Sequence, residues 1–328
     1  VKIAELESIL ANRQEDRVVA KVGEMSITDD AGILSIGSDT FLMDEGVERT
    51  LASYLKIPPA YLSACPPDFK ATTLRFWMGE HSDADAVTEL INGAVVSIHS
   101  PDQLMIPVRQ VVQVAERVFS PDAEVRHNYL DDERVHLDIT TSEHQVDVQS
   151  PVYRQVGDIT EAGLRFLAYP TQTKAPSVGA YLERLACTNG MTTTERAGQI
   201  SLRGRTVDEV IEEMEQAARM MLSTLDNRLE RYAATARQPI PGSRQAFAHQ
   251  LAREANLPRS VLDSVMELVN QLPDNATVYD INQAFTSVAN TDVNYATRMR
   301  LQALGGSMAF EAERILARCG TCQHPLEV

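Results

Sequence analysis

The sequence predicts a mixed α+β fold: an α+β domain over residues 1–200 with a mixed or antiparallel sheet, a long heptad-like helix over 201–238, and a helical region over 243–328. Three observations lead there. Short apolar segments bounded by Gly, Pro and Asn-Gly recur through residues 17–200. Strand signals fade after residue 200. From Thr206 onward, apolar residues return at three- and four-residue spacing.

Taken in order, Val1 to Leu10 places Ile3, Leu6, Ile9 and Leu10 on one helical face. Val18–Met25 and Ile33–Ile36 read as strands around a turn at Asp29-Asp30-Ala31-Gly32. Asp44–Lys56 reads as a helix stopped by Ile57-Pro58-Pro59, because proline lacks the N–H donor and disfavours helix in the residue before it. A short helical turn follows at Ala60–Ala64. Thr73–Gly79 and Gly93–His99 read as strands, with Ala84–Asn92 a helix or loop between them. Pro107–Phe119 is helical, with Val108, Val111, Val112, Ala115 and Phe119 inward. Glu124–Tyr129, Arg134–Thr140 and Glu143–Gln149 are further strands, with a turn at Asp131-Asp132-Glu133. Gly157–Tyr169 and Tyr181–Cys187 complete the sheet, and Asn189-Gly190 is the expected tight turn, since both residues tolerate positive φ.

Thr206–Arg237 reads as one helix of about thirty residues, roughly 45 Å long. Thr206 is the expected N-cap, with Glu209 three residues on. Val207, Ile211, Met214, Ala218, Met221, Leu225, Leu229, Tyr232 and Ala236 form an a/d seam. Such a seam either packs on its own domain or mediates self-association. After the Pro239–Ser243 linker, helices are expected over 243–256, 259–271, 277–291 and 296–319, the last divided at Gly305-Gly306.

Composition narrows the function classes. With 44% hydrophobic and 23% charged residues, the chain reads as an ordinary globular protein. No apolar run approaches the roughly 18 residues that cross a bilayer, so no membrane association is expected. The alternating charges of Val1–Asp16 resemble neither a signal nor a transit peptide. Four cysteines do not make a disulfide scaffold, and a reducing cytoplasm, that of a bacterial host cell, is expected. The net charge of −16 argues against nonspecific coating of duplex DNA. The acidity is uneven: residues 1–200 hold 17 basic and 30 acidic residues, whereas 201–328 hold 13 and 16, so a nucleic-acid surface belongs to the second part or to a local groove.

Phosphate-loop, dinucleotide, His-Glu-x-x-His and Gly-x-Ser-x-Gly motifs are all absent from the sequence, which argues against ATP-driven motors, dinucleotide enzymes, zincins and common serine hydrolases. The segment Leu185-Ala186-Cys187-Thr188-Asn189-Gly190-Met191 is the most informative stretch. It resembles the signature of the phage/plasmid-like proteins of unknown function that share Cys-Thr-Asn-Gly-Met. Leu55-Lys56-Ile57-Pro58 with Tyr61, Gly157-Asp158 followed by Gly163, and the long charged helix after the signature fit the same family. One stretch departs from it: Gly93–Ser100 carries Gly93 where many relatives have arginine, and lacks their tyrosine. The resemblance implies a mobile-element context more than a mechanism.

Candidate sites follow from residue chemistry. Cys187 is a candidate nucleophile, grouped with Asn189, which can orient a base, and with Asp158; His99, His127, His136 and His144 are the available bases. The bland reading makes Cys187 a small buried residue. Cys319, Cys322 and His324 have zinc-ligand spacing, and a structural zinc needs a fourth ligand from Cys65, Cys187, another histidine or a second chain. Without it the protein holds no cofactor and the tail is simply exposed. His127, His136 and His144 lie among many carboxylates, either as an acid/base or metal cluster or as a solvated sheet face. Single-stranded nucleic acid needs a positive groove with stacking rings. Tyr153, Arg154, Arg165, Phe166, Tyr169, Arg196, Arg203 and Arg205 form the best basic-aromatic zone, unless the arginines only pair with carboxylates such as Glu195 and Asp208.

The leading expectation is a noncatalytic, non-ATPase DNA-metabolism protein of a phage or plasmid. It binds single-stranded nucleic acid as a homo-oligomer, in recombination or strand annealing. The alternatives are an enzyme centred on Cys187, Asn189 and Asp158, and an acidic structural protein that binds other phage or host proteins.

Overall fold

The structure, a computed structural model, describes residues 1–130, 134–150, 152, 158–169, 175–185, 189–192, 199–240 and 242–318. It is a mixed α+β domain of antiparallel sheets followed by C-terminal helices, as the sequence predicts. Its buried apolar side chains gather in three clusters.

The chain starts on the central cluster. Helix α1 (Leu6–Leu10) buries Leu6 and Leu10, and Val1 and Ile3 exchange backbone hydrogen bonds with Val125 and Ala123. The chain then leaves to build a small unit of its own. Strands β1 (Glu15–Lys21), β2 (Met25–Ile27), β3 (Ile33–Ile36) and β4 (Asp39–Leu42) precede helices α2 (Glu45–Tyr54), α3 (Pro59–Ser63) and α4 (Pro67–Glu80). Strands β5 (Asp85–Ile91) and β6 (Ala94–His99) close it. The sheets are β1-β5-β6 and the meander β2-β3-β4. Asp44 caps α2 by accepting from the Val47 N–H at 2.8 Å.

Two expectations fail here. Residues 73–79 are helical, not a strand. The aromatic, β-prone run Thr73–Gly79 is overridden by Pro67 at the helix start and by Ala71, Leu74 and Met78, which share the inward face. Residues 85–91 form a strand, not a helix or loop, because β1 pairs with them along their whole length.

Returning to the central cluster, helix α5 (Val108–Val118) precedes β7 (Glu124–Leu130), β8 (Val135–Asp147), β9 (Ile159–Ala168), β10 (Ser177–Arg184), β11 (Asn189–Thr192) and β12 (Ile200–Ser201). The sheet order is β11-β10-β9-β8-β7, with β12 pairing on β10. The two strands expected over 134–149 are one, irregular between Thr141 and Gln145 where the register shifts. Asn189 and Gly190 are not the turn. They open β11, paired antiparallel opposite Arg184 and Glu183.

Side chains alternate across this sheet. Val135, Leu137 and Ile139 share one face with Leu164, Phe166, Val178 and Ala180. Helices α5, α6 (Val207–Leu222) and α7 (Leu225–Ala234) cover that face. The expected single long helix is therefore two, broken at Ser223-Thr224. Both hydroxyls turn back onto carbonyls, Ser223 Oγ to Met220 at 2.8 Å and Thr224 Oγ1 to Met221 at 2.9 Å, in competition with the helical ladder. The seam residues Met214, Ala218, Met221, Leu225, Leu229, Tyr232 and Ala236 are buried in the central cluster. Of the two readings of the seam, packing on its own domain is the one observed.

The third cluster belongs to α8 (Arg244–Glu254), α9 (Arg259–Gln271), α10 (Val278–Ala289) and α11 (Tyr295–Arg318). A capping box between Thr277 and Asp280 starts α10. α11 runs through Gly305-Gly306, which are buried, and kinks instead at Glu311. No helix among the described residues is long and apolar enough to cross a membrane.

Candidate functional site

The second face of the central sheet is polar and yet buried. His136, Asp138 and Thr140 alternate along β8, with Arg165 on β9 opposite Asp138 and Tyr181 on β10 opposite Gly163. His136, Asp138, Thr140, Arg165 and Tyr181 are all buried. The start of α11 covers one end of this face. Arg165 holds Asp138 with two parallel bonds of 2.5 and 2.6 Å, and its Nη2 also donates to Gln302 Oε1 at 2.8 Å. Tyr295 Oη lies 2.9 Å from His136 Nδ1, and Arg298 donates to Tyr129 Oη at 2.9 Å. His136 Nε2 is 3.0 Å from Asp138 Oδ1, close enough to feel its charge but not aligned as a hydrogen bond.

Electrostatics follow from burial and pairing. Burial alone would raise the Asp138 carboxyl, but the Arg165 guanidinium and His136 together hold it well below the usual carboxylate range. Burial lowers His136 despite the nearby Asp138 charge. Burial pushes the Tyr295 phenol up to about 12. A paired carboxylate, a neutral imidazole and protonated phenols make a polar clamp between sheet and α11. None of them is a nucleophile in waiting.

Further along the same face, Arg126 reaches Glu161 at 2.6 Å and Glu183 at 3.3 Å, and Thr140 Oγ1 donates to Glu161 at 2.9 Å. Burial raises the Glu183 carboxyl, and Arg126 only partly offsets it.

A second clamp forms where β9 begins. Asp158 is fully buried and takes both Arg184 Nε and Nη2. Tyr279 Oη of α10 donates to Asp158 Oδ2 at 2.8 Å, and Gln283 Nε2 donates to Tyr232 Oη of α7 at 2.9 Å. This cluster binds α7 and α10 to the end of the sheet where β9 starts and β10 finishes.

The structure thus places the predicted residues unequally. Asp158 and Arg165 are committed to buried ion pairs. Phe166 lies in the apolar core, and Tyr169 is half-buried with its phenol raised by burial. Arg203 and Arg205 are exposed between β12 and α6. Their backbone N–H groups donate to Glu213 at 2.8 Å and Glu209 at 2.6 Å. Among the described residues neither guanidinium has an ion-pair partner, Asp208 included. Asn189 is placed only through its backbone in β11. Tyr153, Arg154, Cys187, Arg196, Cys319, Cys322 and His324, with the turn at Asp131–Glu133, lie outside the described residues.

The histidines weighed as bases are dispersed. His99 contacts Glu89 at 3.1 Å in the small N-terminal unit, and His144 contacts Asp226 at 2.7 Å on α7. Only His127 and His136 share a site, where His127 Nδ1 lies 3.5 Å from Asp138. The solvated sheet face expected there is instead buried at His136 and Asp138, where α11 covers it, and part-exposed at His127 and His144. Among the described residues no group of three His, Cys, Asp or Glu could hold a metal ion. Cys65, weighed as a fourth zinc ligand, donates to the Tyr61 carbonyl at 3.3 Å. Sequence reasoning missed Arg126, Arg184, Tyr232, Tyr279 and Gln302. The alternation of Val135–Thr140 signalled a polar second face, but nothing local signalled which helix covers it.

No family model, curated protein or solved structure matches this chain.

Proposed function

We propose that the protein is a noncatalytic nucleic-acid-binding protein of phage or plasmid type. It binds single strands electrostatically through Arg203 and Arg205 and works as an oligomer, in the manner of a recombination or strand-annealing factor. The phage or plasmid context rests on the resemblance of the Cys-Thr-Asn-Gly-Met segment. The observation that carries the binding role is the pair of exposed guanidiniums that have no ion-pair partner among the described residues, whereas Arg165, Arg184, Arg126 and Arg117 serve carboxylates. A free guanidinium can take a phosphate without first giving up a carboxylate. Asp158, the carboxylate an enzyme reading would need, already holds Arg184 and Tyr279. That favours the noncatalytic role.

The test is fluorescence anisotropy with a labelled single-stranded oligonucleotide at low salt. Binding by the unmutated protein, weakened in Arg203→Ala/Arg205→Ala with the melting curve unchanged, is expected. No binding by the unmutated protein overturns the reading.

A further inference from the structure

Helix α4 is apolar on both sides. Ala71, Leu74 and Met78 face the core. On the opposite side Phe69 is 48% exposed, Phe76 61% and Trp77 40%, in a chain with only 5% aromatic residues. Phe76 and Trp77 pack edge to face with centroids 5.5 Å apart, so they form one ridge. Positions 69, 72, 73, 76 and 80 share the outward side of a helix, and 77 flanks it. Thr72 and Thr73 thus leave a shallow saddle between Phe69 and the Phe76–Trp77 pair. A contiguous exposed apolar ridge of this kind marks an interaction surface.

We infer that this ridge is the face on which two copies of the chain associate, α4 against α4 in antiparallel fashion about a two-fold axis. Three features select a second copy. First, the ridge is self-complementary. An axis between Leu74 and Arg75 sets Phe76 of each copy over Thr73 of the other, a large side chain into a small-residue saddle. Second, the helix dipoles of the two copies run antiparallel. Third, the area fits. The three half-exposed rings of the two copies together offer about 600 Å² of apolar surface, roughly the apolar share of a small interface of about 1,200 Å².

Single-stranded nucleic acid fits the ridge poorly. Residues 61–83 hold Lys70 and Arg75 against Asp68, Glu80 and Asp83. Lys70 is tied to Glu48 at 3.0 Å and Arg75 to Asp29 at 2.7 Å, so no positive track runs beside the rings.

The inference rests on the self-association in the proposed function and is independent of nucleic-acid binding. Trp77 is the chain's single tryptophan, so its emission reports on this face alone. Sedimentation velocity from low to high micromolar protein should show monomer passing to dimer, with Trp77 emission moving to the blue in step. Phe76→Glu should keep the circular dichroism and melting of the unmutated protein and stay monomeric over that range. A monomer throughout overturns both this face and the self-association. Association that leaves Trp77 emission unmoved, or that persists in a folded Phe76→Glu, overturns this face alone. Should Phe76→Glu fail to fold, the emission of the unmutated protein decides.

Discussion

Gly163 lies on β9 opposite Thr140 of β8, on the polar face. A Cβ built there would lie 1.8 Å from the Ile139 carbonyl oxygen, a backbone atom that cannot step aside. Gly163→Ala should therefore cost roughly 4 kcal/mol or more. A urea midpoint close to that of the unmutated protein would contradict this packing. Two residues further on, Arg165 is equally constrained. Arg165→Met leaves Asp138 buried without its counter-ion and should cost about 3–5 kcal/mol at neutral pH. The pH dependence has a definite sign. The folded-state pKa of Asp138 is depressed, so its stabilisation is present above the unfolded carboxyl range and is lost as pH falls through the folded value. The deficit of Arg165→Met should thus narrow below about pH 4. Urea unfolding at neutral and acidic pH checks it, and a deficit constant with pH would speak against the pairing. Arg165 also shows where reading by residue type stops. With Tyr169 nearby it has the chemistry of a nucleic-acid contact. Its partner Asp138 lies 27 residues back in sequence, and only the strand register brings them together.

Among elements, those with local punctuation were legible. Asp44 before α2, Pro107 before α5, Ser243 before α8 and Thr277 before α10 each fix a helix start by a cap or by proline chemistry. Helix α4 and strand β5 were not, because tertiary pairing and burial outweigh their local preference. The seam of α6 and α7 was legible as a pattern but not as a destination, since a/d spacing serves a sheet as well as a partner helix. Its burial in the central cluster gives a clear expectation. Leu229→Ala should lower stability by about 2–5 kcal/mol and leave the association state of the folded protein unchanged. Sedimentation and chemical denaturation together test this. A variant of normal stability that no longer associates would return the seam to the role of an interface.

For the whole molecule, the apolar side chains gather in three clusters, and two buried polar clamps tie the C-terminal helices to the central sheet. Arg165–Asp138 locks α11 onto the sheet, and Arg184–Asp158 locks α7 and α10. The overall charge of −16 repels phosphate at long range. Binding through Arg203 and Arg205 is therefore expected to be weak and salt-sensitive. The measurement that tests this most directly is the salt dependence of single-strand binding, followed by anisotropy. Each phosphate neutralised contributes about 0.7 to the slope of log Kobs against log salt. Arg203→Ala/Arg205→Ala should weaken binding and flatten that slope by about 1.4. An affinity and slope identical to those of the unmutated protein, or no single-strand binding by the unmutated protein at low salt, would contradict the account.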